Sequence, residues 1–379
     1  MQYLVPAVVS FLVGVVLVPL VIRIARQKKW FDRVEKRKIH TGEIPRLGGV
    51  ALFAAILVGS VAGLAVLGAH DSTAVARYGL VDSLLLVTGL AGMFAVGLVD
   101  DFRNIPAAIK FLGQLAAASI ISLGGFRISA LVIPLVAAPV DLGALSFPLT
   151  VLWIVGMANA MNLIDGMDGF AGGVALFASV TFAAIGFIQG NDAVVVVSLA
   201  VLAASVTFLC FNLPPARIFM GDSGSLLLGS MLAVLPLLDG KAQATSSQLA
   251  VAVSGTVLLI PILDTISAII RRTRRGQPFY KPDCEHLHHK LLDLFKSSTN
   301  VLYVLYAYQV ALGIVAVSYQ YVDPTVSASL CFSVWVLSFI FIAATKTRHL
   351  RLIRSYGLGE TRHEHPVDSS VAKHTTNVV

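Results

Sequence analysis

Apolar runs of about 17 to 23 residues recur along most of this 379-residue chain, each long enough to cross the ~30 Å hydrocarbon core of a bilayer as a helix. No water satisfies peptide N–H and C=O groups in that core, so a chain built this way has helices as its only economical fold. Hydrophobic residues make up 56% and charged ones only 13%, where a soluble domain carries roughly 25% charge. The expected spans are about Tyr3–Ile22, Leu47–Leu67, Val81–Leu98, Ala107–Leu123, Phe147–Leu163, Phe170–Ile188, Ala193–Phe211, Ser223–Leu238, Leu249–Ile270, Val301–Tyr319 and Val326–Ala344, eleven in all. The fold class is all-α polytopic membrane protein. One polytopic membrane domain is expected over residues 1–344, followed by a polar tail, residues 345–379, expected to be disordered. Arg127 to Ser146 is broken by Pro134 and Pro139 and is too short to span; its alternating apolar residues predict a small hairpin outside.

Met1-Gln2-Tyr3 has no basic residue, so the first run reads as a retained helix with the amino terminus outside rather than a cleaved signal peptide. Eleven spans then place the carboxyl terminus in the cytoplasm. Lys and Arg test this independently: of 28, all but Arg77, Arg127 and Lys241 fall on the cytoplasmic side, as the positive-inside rule requires. That asymmetry accounts for the net charge of +7 without nucleic acid as a partner. Cys210, Cys284 and Cys331 are too few and too scattered for a disulfide framework.

On this topology the polar motifs collect on the cytoplasmic face. Asn159 to Gly169 places two amides, two carboxylates and two glycines between two spans. Asp165 and Asp168, three apart, share a face on any helical turn. A helix cap would explain one of these groups, but not four together. Asp100 and Asp101 end the third span and repel each other, a cost that a cation or a proton offsets; a solvated helix end is the plainer alternative. Lys110, which could be an ordinary interfacial lysine, stands near enough in sequence to bring positive charge to an anionic ligand. Gly221-Asp222-Ser223-Gly224-Ser225 puts an acid and accessible N–H groups at a helix start, favouring a metal or phosphate site over a simple cap. Oxygen donors from Asn162, Asp222 and phosphate suit Mg²⁺. His286, His288 and His289 lack the partners of a zinc site and, lying among arginines, suit phosphate or a nucleotide instead.

Taken in order, Ile44-Pro45-x-x-Gly48-Gly49, Asp100-Asp101, Asn159-x-x-Asn162-x-x-Asp165-Gly-x-Asp168-Gly169, Gly221-Asp222-Ser-Gly-Ser225 and His286-x-His288-His289 resemble the polyprenyl-phosphate N-acetylhexosamine-1-phosphate transferases over about Lys36 to Leu292. The His-x-His-His loop is closer to the WecA and TagO branch than to MraY-like members, which carry three consecutive histidines. The resemblance implies transfer of N-acetylglucosamine 1-phosphate, or a related N-acetylhexosamine 1-phosphate, from a UDP-sugar to undecaprenyl phosphate, with release of UMP. It implies Mg²⁺, with Mn²⁺ as a substitute, on Asn162 and Asp222. Asp100 and Asp101 take the catalytic part, whether as base or nucleophile. Lys110, Asp165, Asp168, His286, His288 and His289 bind substrate. The setting implied is the bacterial inner membrane with the site on its cytoplasmic face; a homodimer is the assembly kept open. A secondary transporter is the rival from another class, since intramembrane acids also mark ion pathways. It would want its acids at the midplane and an inverted repeat. A CDP-alcohol phosphotransferase would need Asp-Gly-x-x-Ala-Arg, which Asp165 to Gly169 does not continue into.

Overall fold

A computed structural model of the protein describes residues 2–31, 44–76, 78–131, 140–240, 247–277, 286–323, 326–327 and 329–340. The tail after residue 344 and the side chains of His288 and His289 lie outside the described residues. The helices are α1 (Leu4–Lys28), α2 (Gly48–His70), the short α3 (Ser72–Ala76), α4 (Leu80–Arg103), α5 (Ala107–Leu123), α6 (Ser146–Ile164), α7 (Phe170–Gln189), α8 (Asp192–Asn212), α9 (Gly221–Gly240), α10 (Ser247–Val257), α11 (Leu259–Arg274), α12 (Leu287–Phe295) and α13 (Ser298–Ser318). A further apolar helix runs over Ser329–Ile340. Among the described residues eight helices are long and apolar enough to cross a membrane, and α5 and Ser329–Ile340 are shorter apolar ones. The protein is therefore an all-α, multi-pass membrane protein. The expected hairpin forms as β1 (Ala130–Leu131) and β2 (Val140–Asp141), antiparallel with Ala130 opposite Asp141.

The run expected as one span over Leu249–Ile270 is instead two helices, α10 and α11, divided at Leu258. Pro261 has no N–H to give the carbonyl four residues back, that of Val257. Gln309 from α13, fully buried, donates its side-chain N–H to that carbonyl at 2.7 Å. The break is thus stabilised by a residue far along the chain.

α9 is the centre of the bundle. Of its most apolar stretch 94% is buried, against 22% in α1 and in α4, and it packs on α2, α4, α6, α7, α8 and α10. Such a helix has little room for large side chains where backbones meet, and small residues are what membrane helix contacts favour. Around its first turn this becomes extreme: a Cβ on Gly97 of α4 would stand 2.4 Å from the Asp222 carbonyl oxygen and 2.5 Å from Ser223 Cα. α4 and the start of α9 therefore touch backbone to backbone, which sets two expected polar motifs against each other.

Candidate active site

Three connecting segments are laced together at one end of the bundle. Phe219 N–H donates to the Pro45 carbonyl at 2.8 Å, and Gly48 and Gly49 N–H donate back to Phe219 and Met220 carbonyls, each at 2.9 Å. This backbone pairing delivers the start of α2 to the start of α9. Asn212, buried at the end of α8, accepts from Gly169 N–H at 2.9 Å and donates to the Ile218 carbonyl at 2.8 Å. Asp168 accepts from Ala216 N–H at 3.0 Å. Tyr306 on α13 donates its hydroxyl to the Gly169 carbonyl at 2.6 Å. Every one of these bonds satisfies a loop backbone group near the membrane, where an unsatisfied one is costly.

The expected residues meet on this platform. Asp222, on the first turn of α9, accepts from Asn162 Nδ2 of α6 at 2.9 Å and pairs with the ammonium of Lys110 on α5. Lys110 also pairs with Asp100 at 3.0 Å, and Asp100 accepts from Ile105 N–H at 2.8 Å. Asn162 reaches Ser225 Oγ, also at 2.9 Å. Gln114, one turn beyond Lys110, and Asn159, one turn before Asn162, exchange amide hydrogen bonds of 2.7 and 3.3 Å. This reciprocal pair locks the register of α5 against α6, so that Lys110 and Asn162 arrive at Asp222 from opposite sides.

Asp100 and Asp101 are neighbours with different partners. The Asp101 side chain is fully buried and accepts from Asp222 N–H at 2.8 Å, Ser223 N–H at 3.0 Å and Ser223 Oγ–H at 2.7 Å. It does for α9 what an N-cap side chain does, from another helix. Gly221, whose φ of +73° favours glycine, brings the chain into α9 with its Cα against the Asp101 carboxylate. Arg46 lies 3.5 Å from Asp101 and 3.7 Å from Asp222.

Asp165 caps the end of α6 beside this group. Crowding by protein atoms pushes its carboxyl well above the usual carboxylate range; the Asp222 and Asp101 charges add to the rise, and Arg46 opposes it. The site is thus rich in negative charge, and Lys110 and Arg46 are the cations set against it. His286 is placed at the start of α12, its Nδ1 2.8 Å from the buried carboxylate of Asp264 on α11, which also accepts from Leu287 N–H at 2.8 Å. An ionised carboxylate only accepts, so Nδ1 carries the proton in this bond. His288 and His289 lie in the first turn of α12.

Arg46, Gln114, Asn212, Asp264 and Tyr306 were not among the residues expected from the sequence. For two of them a signal existed. Asp264 is a lone acid in an apolar span, which marks function or a specific partner, and Gln114 is a polar residue one turn from Lys110. Arg46 occupies an unspecified position of the Ile-Pro-x-x-Gly-Gly motif, and Asn212 and Tyr306 carry no local signal.

A family model for glycosyl transferase family 4 matches residues 83–239, a stretch that runs from within α4 to within α9. The chain is 36% identical over 299 residues to the probable undecaprenyl-phosphate N-acetylglucosaminyl 1-phosphate transferase of Bacillus subtilis (strain 168), covering 79% of this chain and 80% of that protein. It is 36% identical over 304 residues to the decaprenyl-phosphate N-acetylglucosaminephosphotransferase of Mycobacterium tuberculosis (strain CDC 1551 / Oshkosh), covering 74% and 72%. With the phospho-N-acetylmuramoyl-pentapeptide-transferase of Halalkalibacterium halodurans it shares 31% over 299 residues, 75% of this chain and 87% of that one. Motif order, helical architecture and likeness over most of both chains agree: the chain belongs to glycosyl transferase family 4, the polyprenyl-phosphate N-acetylhexosamine-1-phosphate transferases.

Proposed function

We propose that the protein transfers N-acetylglucosamine 1-phosphate from UDP-N-acetylglucosamine to undecaprenyl phosphate at the cytoplasmic face of a bacterial inner membrane, releasing UMP. The observation that carries this reading is the meeting of Asp100, Lys110, Asn162 and Asp222 at one end of an apolar bundle, in a chain of this family. A lipid substrate and a soluble one can both reach such a place. The cluster sits at helix ends, whereas a transporter would place its acids at the midplane.

In the reaction a phosphate oxygen of the lipid attacks the β-phosphorus of the donor. A new P–O bond forms, the bond to the bridging oxygen breaks, and its electron pair leaves with UMP. Positioning and charge neutralisation are most of what an enzyme contributes to such a transfer. Lys110 brings an ammonium to the entering phosphate oxygens, and Asp100 holds it there by the 3.0 Å ion pair. Asp165 and Asp168 lie on the nucleotide side, and His286, His288 and His289 bind phosphate, His286 through Nε2. Asn162 and Asp222 would hold Mg²⁺, with Mn²⁺ as a substitute. The donor chemistry suits it: the Asn162 amide and the Asp222 carboxylate lie together, 2.9 Å apart, and Mg²⁺ characteristically takes one or two protein oxygens and completes its shell with substrate phosphates and water. When bound, the cation neutralises charge on the diphosphate.

The test is UMP release by purified protein in detergent, with undecaprenyl phosphate, Mg²⁺ and a series of UDP-N-acetylhexosamines. Release should require lipid and divalent cation, favour UDP-N-acetylglucosamine, stop on chelation, and fall below about a tenth in Asp222→Ala. Folded protein that releases no UMP from any donor would overturn the reading.

A further inference from the structure

The carbonyl of Gly169, at the end of the segment that carries Asp165 and Asp168, accepts two hydrogen bonds. Gly173 N–H donates to it at 2.9 Å as the first bond of α7, and the Tyr306 hydroxyl of α13 donates at 2.6 Å. A carbonyl oxygen has two lone pairs, and the helix's own bond already supplies a partner. The tyrosine bond is therefore an addition: a phenylalanine would fill the same space and leave no backbone group unpaired.

That space is cut for a ring. Gly173 lies one turn after Gly169, and a Cβ on Gly173 would overlap Cε1, Cζ and the hydroxyl oxygen of Tyr306. Glycine weakens a helix interior, and here it lets the ring lie directly against the α7 backbone. Phe177, one turn further, flanks the ring with centroids 5.2 Å apart. Gly169 itself has a φ of +78°, and its N–H is taken by Asn212 of α8. The peptide groups on either side of this one residue are thus held by two different helices, α8 and α13. Asp168, whose carboxylate accepts from Ala216 N–H, is the residue just before it.

The histidine segment belongs to the same helix pair. His286 opens α12, Lys296 and Ser297 alone separate α12 from α13, and the two helices pack on each other. Tyr306 stands about two turns into α13. It therefore joins the helix that anchors His286 to the loop that presents Asp168.

We propose that Tyr306 is a positioning residue for the sugar-nucleotide donor: by tying α13 to the Gly169 carbonyl it fixes the separation between the histidine segment and the Asp165–Asp168 loop, the two segments that grip the nucleotide diphosphate. The assignment rests on the transferase reading above, in which both segments face the donor. Tyr306 touches neither substrate and acts through Gly169. Asp100 and Lys110 stand on α4 and α5, outside this tie, so its loss weakens the donor and spares the lipid.

The experiment uses the full-length protein in detergent. Tyr306→Phe keeps the ring and removes the hydroxyl. The KM for UDP-N-acetylglucosamine and the inhibition constant of UMP should each rise about 5- to 10-fold, as for one hydrogen bond, while the KM for undecaprenyl phosphate and the unfolding temperature change little. Gly173→Ala, which denies the ring its place, should raise the donor KM at least as far, and adding Tyr306→Phe to it should raise it little more, because both remove one contact. Phe177→Leu loosens the packing around the ring but spares the hydroxyl; it should lower the unfolding temperature and leave the donor KM as it was. In a second arm, UMP is titrated calorimetrically without lipid, and Tyr306→Phe should bind it about 5- to 10-fold more weakly. Wild-type donor KM and UMP affinity in Tyr306→Phe would overturn the assignment. So would an equal rise in both substrate KM values with a lower unfolding temperature, which would make Tyr306 a packing residue. Wild-type protein that binds UMP through Tyr306 but turns over no donor would sink the transferase reading and leave the tie standing.

Discussion

Asp101→Asn separates a structural from a chemical part for this carboxylate. The native side chain accepts three hydrogen bonds from the start of α9, two on one oxygen and one on the other. Asparagine has one accepting oxygen. In its better orientation it keeps the two bonds from Ser223, loses the bond from Asp222 N–H, and turns an NH₂ toward that buried N–H. Removing a charged acceptor and leaving its buried donor unmet costs about 1–3 kcal/mol, so the local penalty is of that order. It falls on the backbone that carries Asp222. Purified Asp101→Asn should therefore unfold at a lower temperature than wild type in the same detergent and lose about 100-fold in kcat, since small misplacements of a reacting group cost that much. Ser223→Ala should lose less alone and add little on top of Asp101→Asn, because the two share a partner. Asp101→Asn protein with the wild-type unfolding temperature and donor KM but no turnover would refute the capping argument and give Asp101 a direct part in the chemistry.

Other substitutions test the remaining supports. Gly97→Ala would set a methyl 2.4 Å from the Asp222 carbonyl oxygen; with backbone on the far side unable to give, kcat should drop by about 100-fold and the unfolding temperature should fall. Gln114→Leu leaves Asn159 without its amide partner and should cost about 1–3 kcal/mol in denaturation measurements, whereas Gln114→Leu/Asn159→Leu should recover most of that stability. Turnover should stay low in the double variant, since the register of Lys110 against Asn162 is no longer fixed. Asp264→Asn can present an N–H to His286 Nδ1 and so reverse the tautomer; donor KM should rise about tenfold with little change in helix content by circular dichroism.

The helices were legible because lipid leaves the backbone few choices; of the eleven runs expected to cross it, eight form helices long and apolar enough to do so among the described residues. The division at Leu258 was not. Proline alone does not announce it, since Pro19 and Pro236 sit inside helices that continue. What differs at Pro261 is Gln309, which takes up the freed carbonyl from α13, and a partner that distant leaves no local pattern. In the site, the convergence of Asp100, Lys110, Asn162 and Asp222 was legible as polarity stranded in apolar sequence. The division of labour within it was not: Asp100 and Asp101 are adjacent in sequence, but about 100° apart around a helix, which sends one to Lys110 and the other to the start of α9. Arg46 was hidden for a different reason, because a basic residue in a basic loop already has an ordinary explanation as a membrane anchor.

The burial of α9 has a consequence for biosynthesis. Every helix it packs on except α10 precedes it in the chain, so the ribosome delivers α2, α4, α6, α7 and α8 before the segment that carries Asp222. A helix whose first five residues include an acid and two serines is a poor candidate to wait alone in lipid. It can instead leave the insertion machinery directly into a finished slot, where Asp101, Asn162 and the α4 backbone already face it. Domains emerge amino-terminal part first, and here that order lets half of the polar cluster act as the receptor for the other half.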